Sequence, residues 1–266
     1  MEILIFGKLF KKKRKETAVI FVDFEHWTIA LDNKFEMRPD FTGLYNKISA
    51  KYDVKKTLVF GDFTQPKLRR ELDSVREVTN DIIDTQNSSD VIVKDFTDFI
   101  ILDHIYRYAE EKPDTDVFIL ITGDGHFSSV ITYLRIKKKK KVVIIGVRDE
   151  VSKKLKNVAD ECIELPLEED EENYYKRLII ENFIYLDGKT KTGKKNYITF
   201  TSTSNAVALY NKVNENKIRG AMSLLIDEGI LEKQVVVTDD NQSINTLAMN
   251  WEKLKNSRNK DLIKQL

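Results

Sequence analysis

Three aspartates in the first half of the chain each follow a short apolar run that has the composition of a buried strand; they are Asp23, Asp62 and Asp124. In open α/β sheets the carboxyl ends of parallel strands meet at one edge, and ligands bind there. We therefore expect these three side chains to lie at the same edge of a sheet. Asp98, which opens a predicted helix, supplies a fourth carboxylate.

Several carboxylates in one pocket repel one another unless a divalent cation neutralises their charge. Mg²⁺ and Mn²⁺ are the cofactors that this residue type favours, because hard cations prefer carboxylate oxygens and water. A cation held in this way stabilises charge on a phosphate and lowers the pKa of water. The chemistry predicted is therefore metal-assisted hydrolysis of a phosphodiester.

Each aspartate also has a plain structural interpretation. A single Asp after a strand commonly forms an Asx turn or caps a helix. Asp62 either orients a substrate or simply ends its strand, and both interpretations stay open. Asp103 ranks behind Asp98, because five residues correspond to about 140° around a helix and the two side chains cannot share a face.

The elements that must position these residues form βαβ units over Thr17–Pro166. Short apolar runs alternate there with amphipathic stretches, as is typical of a mostly parallel sheet covered by helices. Strands are predicted at Ala18–Val22, Thr57–Phe60, Asp81–Asp84, Val117–Ile121, Val142–Ile145 and Cys162–Leu165. Helices are predicted over about 39–51, 66–77, 98–111, 127–136 and 151–159.

A second domain is predicted after Pro166. The acidic run Glu168–Glu172 interrupts the pattern and predicts a linker over 167–172. Beyond it we predict a helix near 173–186, a loop to about 196, a short helix from Thr201–Ser204, a helix near 215–228 that stops at Gly229, and a hairpin of Ile230–Val237 and Ser243–Met249. This order is that of a winged helix-turn-helix over 173–256, followed by a tail over 257–266.

Composition excludes several classes of protein. Hydrophobic residues make up 41% of the chain and charged residues 33%, and no apolar run approaches the roughly 20 residues of a membrane span. No secretory signal is expected, because the basic run follows Met1–Phe6 rather than preceding it. The single cysteine, Cys162, cannot form an intrachain disulfide, and three histidines without a CxxC pattern argue against structural zinc. The cytoplasm is the predicted location.

The charge is distributed unevenly. The net charge is +5 over 1–15, −9 over 16–172 and +5 over 173–266, a pattern that suits basic flanks holding a polyanion. The basic tail 1–15 is interpreted either as a frayed terminus or as a weak peripheral contact with anionic lipid or RNA. Arg135 and Lys137–Lys141 form a second basic cluster, which we interpret as a solvated helix end.

The residues around the aspartates resemble the NYN domain of the PIN-like nucleases, of the LabA-like type. The resemblance rests on Phe21–Trp27, Thr97–Asp103, Thr122–Phe127 and the closing helix and strand of Ser152–Leu165. It implies a Rossmann-like, three-layer α/β/α domain over 16–166 with a mostly parallel sheet. It also implies a metal-dependent ribonuclease activity.

The resemblance assigns a catalytic and metal-binding role to Asp23, Asp98 and Asp124, with Mg²⁺ or Mn²⁺ as the cofactor. The sequence departs from the family pattern at two positions. His26 stands where the family often has Asn, and His126 replaces the second Asp of the loop after strand four. Both histidines are candidate catalytic residues, and a second tier of candidates comprises Asp62, Asp103 and Thr122.

The C-terminal region resembles winged-helix modules, including the LOTUS-like domains that accompany some NYN domains. The resemblance implies nucleic-acid contacts from Lys189, Lys191, Lys194, Lys195, Lys217 and Arg219. A winged helix that contacts protein is the alternative.

The predicted function is a metal-dependent endoribonuclease, with RNA as the expected partner, DNA as the alternative and no small-molecule cofactor. The sequence does not decide whether the protein forms a homodimer, or whether residues 1–15 make a weak contact with a membrane. Two other functions are considered. One is an RNA- or DNA-binding adaptor without turnover. The other is a phosphatase of the haloacid dehalogenase type, which needs an Asp where this chain has Glu25.

Overall fold

The computed structural model of the chain describes residues 14–86, 96–190, 197–237, 241–257, 259 and 262. The chain divides into two compact units. The first comprises Met1–Ala30 and Pro39–Leu165, and the second comprises Leu31–Arg38 and Pro166–Leu266. Of the predicted basic tail 1–15, only Arg14 and Lys15 lie within the described residues.

The described strands of the first unit are β1 (Thr17–Asp23), β2 (Asp53–Gly61), β3 (Ile82–Asp84), β4 (Val117–Ile121), β5 (Lys141–Val147) and β6 (Glu161–Leu165). They form one sheet in the order β3-β2-β1-β4-β5-β6. Every pair of neighbours in it is parallel. The predicted parallel sheet is therefore confirmed, including the short third strand.

The described helices of this part of the chain are α1 (Phe24–Phe35), α2 (Phe41–Lys51), α3 (Pro66–Arg69), α4 (Leu72–Val78), α5 (Phe96–Glu111), α6 (Ser128–Ile136) and α7 (Lys153–Val158). A 3-10 turn, Gly125–Phe127, leads directly into α6. The boundary between the two units passes through α1, whose first residues belong to the first unit and whose last residues belong to the second.

Both faces of the sheet are covered. Side chains of one face, such as Phe21 and Phe118, pack in one cluster with Ile105 of α5 and Ile131 of α6. Successive residues of a strand point to opposite faces, and the intervening residues, such as Ile20 of β1, are equally buried. A strand that is apolar at every position is typical of a parallel sheet between two helical layers. The three-layer α/β/α fold follows.

The second unit contains helices and a small sheet. Its described elements are α8 (Glu168–Thr190), α9 (Phe200–Asn211), α10 (Glu215–Asp227), β7 (Leu231–Val237), β8 (Ser243–Met249) and α11 (Trp251–Asn256). The strands β7 and β8 form an antiparallel hairpin. Gly229 follows α10 with a φ of 65°, the left-handed conformation that commonly ends a helix. The order of α8, α9, α10 and the hairpin matches the prediction, while the winged-helix assignment itself stays a prediction.

Four elements differ from the prediction. No helix is predicted over Trp251–Asn256, where α11 lies. No helix was predicted where α1 lies, although Phe24, Trp27 and Leu31 bury one helical face. The single helix predicted over 66–77 is two helices, α3 and α4. The acidic run Glu168–Glu172, predicted as a linker, forms the beginning of α8. Acidic residues favour the first turn of a helix, since they interact with the positive end of its dipole.

Among the described residues, no helix has the length and apolar character needed to cross a membrane.

The second unit contains a fully buried lysine. The ammonium of Lys176 lies 2.5 Å from a carboxylate oxygen of Glu172 and 2.8 Å from one of Glu228, and the lysine side chain is 0% exposed. Removing one partner of a buried ion pair leaves the remaining charge uncompensated, which is costlier than removing the whole pair.

We expect Lys176→Met to lower the free energy of unfolding by about 1 to 2 kcal/mol, because Glu172 and Glu228 lose their shared cation. The loss is limited because these two side chains are 37% and 22% exposed to water. Denaturant unfolding at neutral pH measures this loss. The control is Lys255→Met, which removes an exposed lysine of α11. Equal stability of the two variants would contradict a stabilising role for the buried ammonium.

Candidate metal centre

The edge where β1 and β4 end holds the predicted carboxylates together. Val22 of β1 pairs with Ile121 of β4, so the next residues, Asp23 and Thr122, lie side by side. The Thr122 hydroxyl donates a hydrogen bond to Asp23 Oδ2 at 3.3 Å. It accepts one from the backbone N–H of Asp124 at 3.2 Å. Thr122 therefore connects two of the predicted site residues.

Asp23 is buried, with 5% of its surface exposed. Its Oδ1 atom accepts a hydrogen bond from the backbone N–H of His26 at 3.1 Å, as the cap of a helix does. The pKa of Asp23 is raised to about 7, mainly by burial. The negative charges of Asp98 and Glu25 also raise this pKa, and the hydrogen bonds from His26 and Thr122 lower it. Near neutral pH this carboxyl group exchanges its proton readily.

A second group of side chains lies beside Asp23. One ligand atom each from Asp98, Asp124 and His126 lies within 4.8 Å of the others. His126 Nδ1 is 3.1 Å from Asp98 Oδ2 and 3.5 Å from Asp124 Oδ1. Two carboxylates and an imidazole form a donor set that fits a divalent cation.

The loop after β4 fixes the direction of two of these side chains. Asp124 precedes the 3-10 turn and accepts a hydrogen bond from the backbone N–H of His126 at 2.8 Å through Oδ1. Gly123 allows close packing here. A Cβ atom at Gly123 would lie 2.8 Å from the carbonyl oxygen of Glu150 and 2.8 Å from His26 Nε2. A larger residue would therefore displace the loop or the imidazole.

His26 lies next to the group without joining it. Its Nε2 atom is buried and has no hydrogen-bond partner in the described part of the chain. Burial lowers the pKa of His26, and the charges of Asp124, Asp98 and Glu150 oppose this effect. A neutral imidazole close to the carboxylates follows from the larger of these effects.

Two second-tier candidates do not join the group. The carboxylate of Asp62 accepts hydrogen bonds from the backbone and the hydroxyl of Thr64, which is an Asx turn at the end of β2. Asp103 forms an ion pair with Arg107 one helical turn later at 2.9 Å, with half of its side chain exposed. Both carboxylates therefore have local structural partners.

The predicted nucleic-acid contacts of the second unit are only partly described. Lys191, Lys194 and Lys195 lie outside the described residues, as does the side chain of Lys189. Lys217 has an internal partner, because its ammonium lies 3.1 Å from Glu171 Oε1. Arg219 pairs with Glu215 at 3.3 Å and lies over the ring of Phe200.

Residues 17–168 match the model of the NYN domain family. The chain belongs to this family. No curated protein matches the chain. The crystal structure of a protein of unknown function from Vibrio parahaemolyticus resembles it with a TM-score of 0.52 and 23% identity, over 59% of this chain and 96% of that one. At this identity the likeness supports the fold alone. The family places the chain in the PIN-like nuclease superfamily.

The NYN domain therefore brings most of its predicted site residues to one edge of the sheet. The group of Asp98, Asp124 and His126 includes a histidine that the sequence predicts as catalytic, and it does not include Asp23, which the sequence predicts as a metal ligand. The sequence spacing indicates this placement of His126. One residue separates it from Asp124, as one residue separates the two aspartates of the Asp-x-Asp in the family pattern. The close approach of Glu150 to Gly123 and His26 had no signal in the sequence.

The buried carboxyl of Asp23 predicts a pH-dependent stability. The pKa of Asp23 is about 7 in the folded protein and 3.8 in the unfolded chain. Its contribution to the free energy of unfolding therefore falls as the pH rises from about 4 to about 7, and stays constant at higher pH. We expect Asp23→Asn to raise the free energy of unfolding at pH 8 by up to about 4 kcal/mol. At pH 4 the Asp23 side chain of the folded protein is protonated and neutral, as the Asn side chain of the variant is. The unmodified protein and the variant should then be about equally stable.

Denaturant unfolding in the presence of a chelator measures both values. The control is Asp62→Asn, which removes a half-buried carboxylate at the end of the neighbouring strand and should change the free energy of unfolding by less than about 1 kcal/mol. The explanation would be wrong if Asp23→Asn raised the free energy of unfolding equally at both pH values, or lowered it at pH 8. In either case the burial of a charged carboxylate would not destabilise the fold.

Proposed function

We propose that this NYN domain is a divalent-metal-dependent endoribonuclease. The observation that supports the proposal is the convergence of Asp98, Asp124 and His126 at the carboxyl edge of the parallel sheet, with the ligand atoms within 4.8 Å of one another. Asp23, buried beside them, completes the set of carboxylates. RNA is the proposed substrate, since the family belongs to a nuclease superfamily.

Each residue has a role that its contacts suit. Asp98, Asp124 and His126 would hold the cation through two carboxylate oxygens and an imidazole nitrogen. A cation there supplies charge stabilisation on the phosphodiester and a lowered pKa for water. Thr122 fixes the positions of Asp23 and Asp124 through its hydroxyl. Asp23, which is buried beside this group and hydrogen-bonded to Thr122, is the remaining carboxylate that could accept a proton from water.

The donor set favours Mn²⁺ over Mg²⁺. Mg²⁺ prefers oxygen ligands in a near-ideal octahedron, whereas imidazole nitrogen suits softer divalent cations better. His126 stands where the family pattern has a carboxylate. We therefore propose Mn²⁺ as the more effective of the two predicted cofactors.

The second unit is proposed to bind nucleic acid as a winged helix. The order of α8, α9, α10 and the β7–β8 hairpin supports this assignment, together with the lysines of 189–195 and Arg219. Lys217 is left out of the proposed contact surface, because it pairs with Glu171 and these two side chains are only 33% and 23% exposed. Arg219 is kept, because it and its partner Glu215 are more exposed, at 43% and 41%. The single cysteine of the chain favours the reducing cytoplasm as the place of action.

A second candidate function is a nucleic-acid-binding regulator without turnover. The hydrogen bond between His126 Nδ1 and Asp98 Oδ2 favours it. The imidazole of His126 occupies the space between the carboxylates of Asp98 and Asp124, 3.1 Å and 3.5 Å from them, where a cation would otherwise lie. Cleavage in the presence of metal distinguishes the two candidates.

We expect Asp124→Asn to lower metal-dependent RNA cleavage by at least about 100-fold, because a ligand carboxylate is lost. The unfolding temperature should change little, since Asn also caps helical turns. The assay compares structured and single-stranded RNA and DNA with Mn²⁺, Mg²⁺ or a chelator. Asp53→Asn is the control, because Asp53 begins β2 and its carboxylate pairs with Lys55. Full cleavage by Asp124→Asn would remove Asp124 from the site.

We expect His126→Asp to change the metal preference. An added carboxylate oxygen in place of a nitrogen should lower the ratio of Mn²⁺-supported to Mg²⁺-supported cleavage by about tenfold. Calorimetric titration of both ions into the metal-free proteins measures the same preference without turnover. An unchanged ratio in both measurements would show that His126 does not bind the cation.

A further inference from the structure

We propose that the cleft between α6 and α7 binds the sugar-phosphate backbone of the nucleic acid next to the bond that is cut. This inference rests on the proposed function and adds a substrate-binding surface to the metal centre. The cleft has a volume of about 520 Å³, and its lining residues are Ser128, Ser129, Thr132, Lys154, Asn157 and Val158.

The cleft adjoins the loop that carries Asp124 and His126. The backbone N–H of Ser152, directly before α7, donates a hydrogen bond to the carbonyl oxygen of Gly123 at 2.9 Å. A Cβ atom at Gly125 would lie 2.8 Å from Ser152 Oγ and 3.7 Å from Lys154 Cδ. The aliphatic part of Lys154 therefore packs beside the residue that separates Asp124 from His126.

The lining is mostly apolar, and its polar groups suit phosphate oxygens. The hydroxyls of Ser128 and Ser129, the carboxamide of Asn157 and the ammonium of Lys154 can each donate a hydrogen bond. The Thr132 hydroxyl is already used, since it donates to the carbonyl oxygen of Ser128 at 2.9 Å. No Asp or Glu is among the described residues of the lining. A cleft at the opposite end of β5, which Arg135 and Lys139 line, differs because Asp160 lies in it and pairs with Arg135 at 2.6 Å.

Lys154 is the cation of this surface. Within the described ranges it has no ion-pair partner, whereas Lys156 of the same helix pairs with Glu164 at 2.7 Å. The neighbouring carboxylates of Asp98 and Asp124 repel a polyanion. An uncompensated ammonium beside their loop offsets this repulsion where the strand must approach.

The chemistry of the lining indicates backbone contact rather than base contact. Proteins that hold unpaired bases stack them on aromatic side chains, and no aromatic residue is among the described residues of the lining. Contacts to phosphate and sugar position a strand without reading its sequence. Binding in the cleft should therefore be independent of base sequence.

The experiment measures binding of short fluorescent RNA and DNA strands to the full chain in the presence of a chelator, so that cleavage cannot contribute. We expect Lys154→Ala to weaken binding about tenfold, equally for A-rich and U-rich RNA. The plot of log affinity against log salt concentration should also become less steep, by about 0.7, because one phosphate contact is lost. The matched control is Lys153→Ala, which removes the neighbouring exposed lysine outside the lining and should weaken binding less than about twofold.

A second variant adds charge instead of removing it. Ser129→Asp places a carboxylate on the exposed rim of the cleft and should weaken binding more than Lys154→Ala, because it repels the phosphates directly. The unfolding temperature of each variant verifies that it folds. Equal effects of Lys154→Ala and Lys153→Ala, or an effect that depends on base sequence, would overturn the proposed backbone contact.

The result also separates this inference from the proposed function. RNA binding that depends on Lys154, without cleavage under any metal, would overturn the nuclease and support the cleft. Cleavage that Asp124→Asn abolishes, with binding unaffected by Lys154→Ala, would support the nuclease and overturn the cleft. No binding of RNA or DNA by the unmodified chain would overturn both.

Discussion

The parallel pairing of β1 with β4 is the constraint on which the candidate metal centre depends. It places Asp23 at the end of one strand beside Thr122 at the end of the next. Side chains alternate along a strand, so a shift of one residue would turn them to opposite faces. The Thr122 hydroxyl connects the strand ends to the loop, because it donates a hydrogen bond to the carboxylate of Asp23 and accepts one from the backbone N–H of Asp124. The loop in turn sets the direction of His126.

The same arrangement has an electrostatic cost. Asp23 is buried where β1 passes into α1, close enough to Asp98 for their charges to interact. Regular core packing alone would favour an apolar residue at this position. Residues that destabilise a fold and also converge on other polar groups are typical of functional sites. Here the surrounding strands are buried along their whole length, and this core supplies the stability that tolerates the charge.

The sequence allowed much of this arrangement to be predicted. Strand ends are recognisable from apolar runs, and parallel topology brings aspartates that lie far apart in the chain to one edge. The start of α1 carries no boundary signal in the sequence, because β1 passes into it without an intervening loop, Gly or Pro. Glu168–Glu172 is ambiguous in the sequence, because an acidic composition is common to linkers and to the first turns of helices.

The features of the site that the sequence does not predict depend on tertiary contacts. Lys217 was chosen from its charge and its position at the start of a helix, but its ion pair with Glu171 joins residues far apart in sequence. The imidazole of His126 lies between two carboxylates because α5 packs against the loop after β4. Neither contact follows from local periodicity, which reports only which face of an element is buried.

The division of the chain through α1 affects how the NYN domain can be isolated as a fragment. Leu31 and Phe35 are buried, and the carbonyl oxygen of Phe35 accepts a hydrogen bond from the hydroxyl of Tyr175. A fragment that ends at Leu165 loses Tyr175 and the rest of the second unit but retains the last turns of α1. Those turns would then expose apolar surface eight residues or more after Asp23. Insolubility of such a fragment would reflect a discontinuous domain boundary rather than an intrinsically unstable sheet.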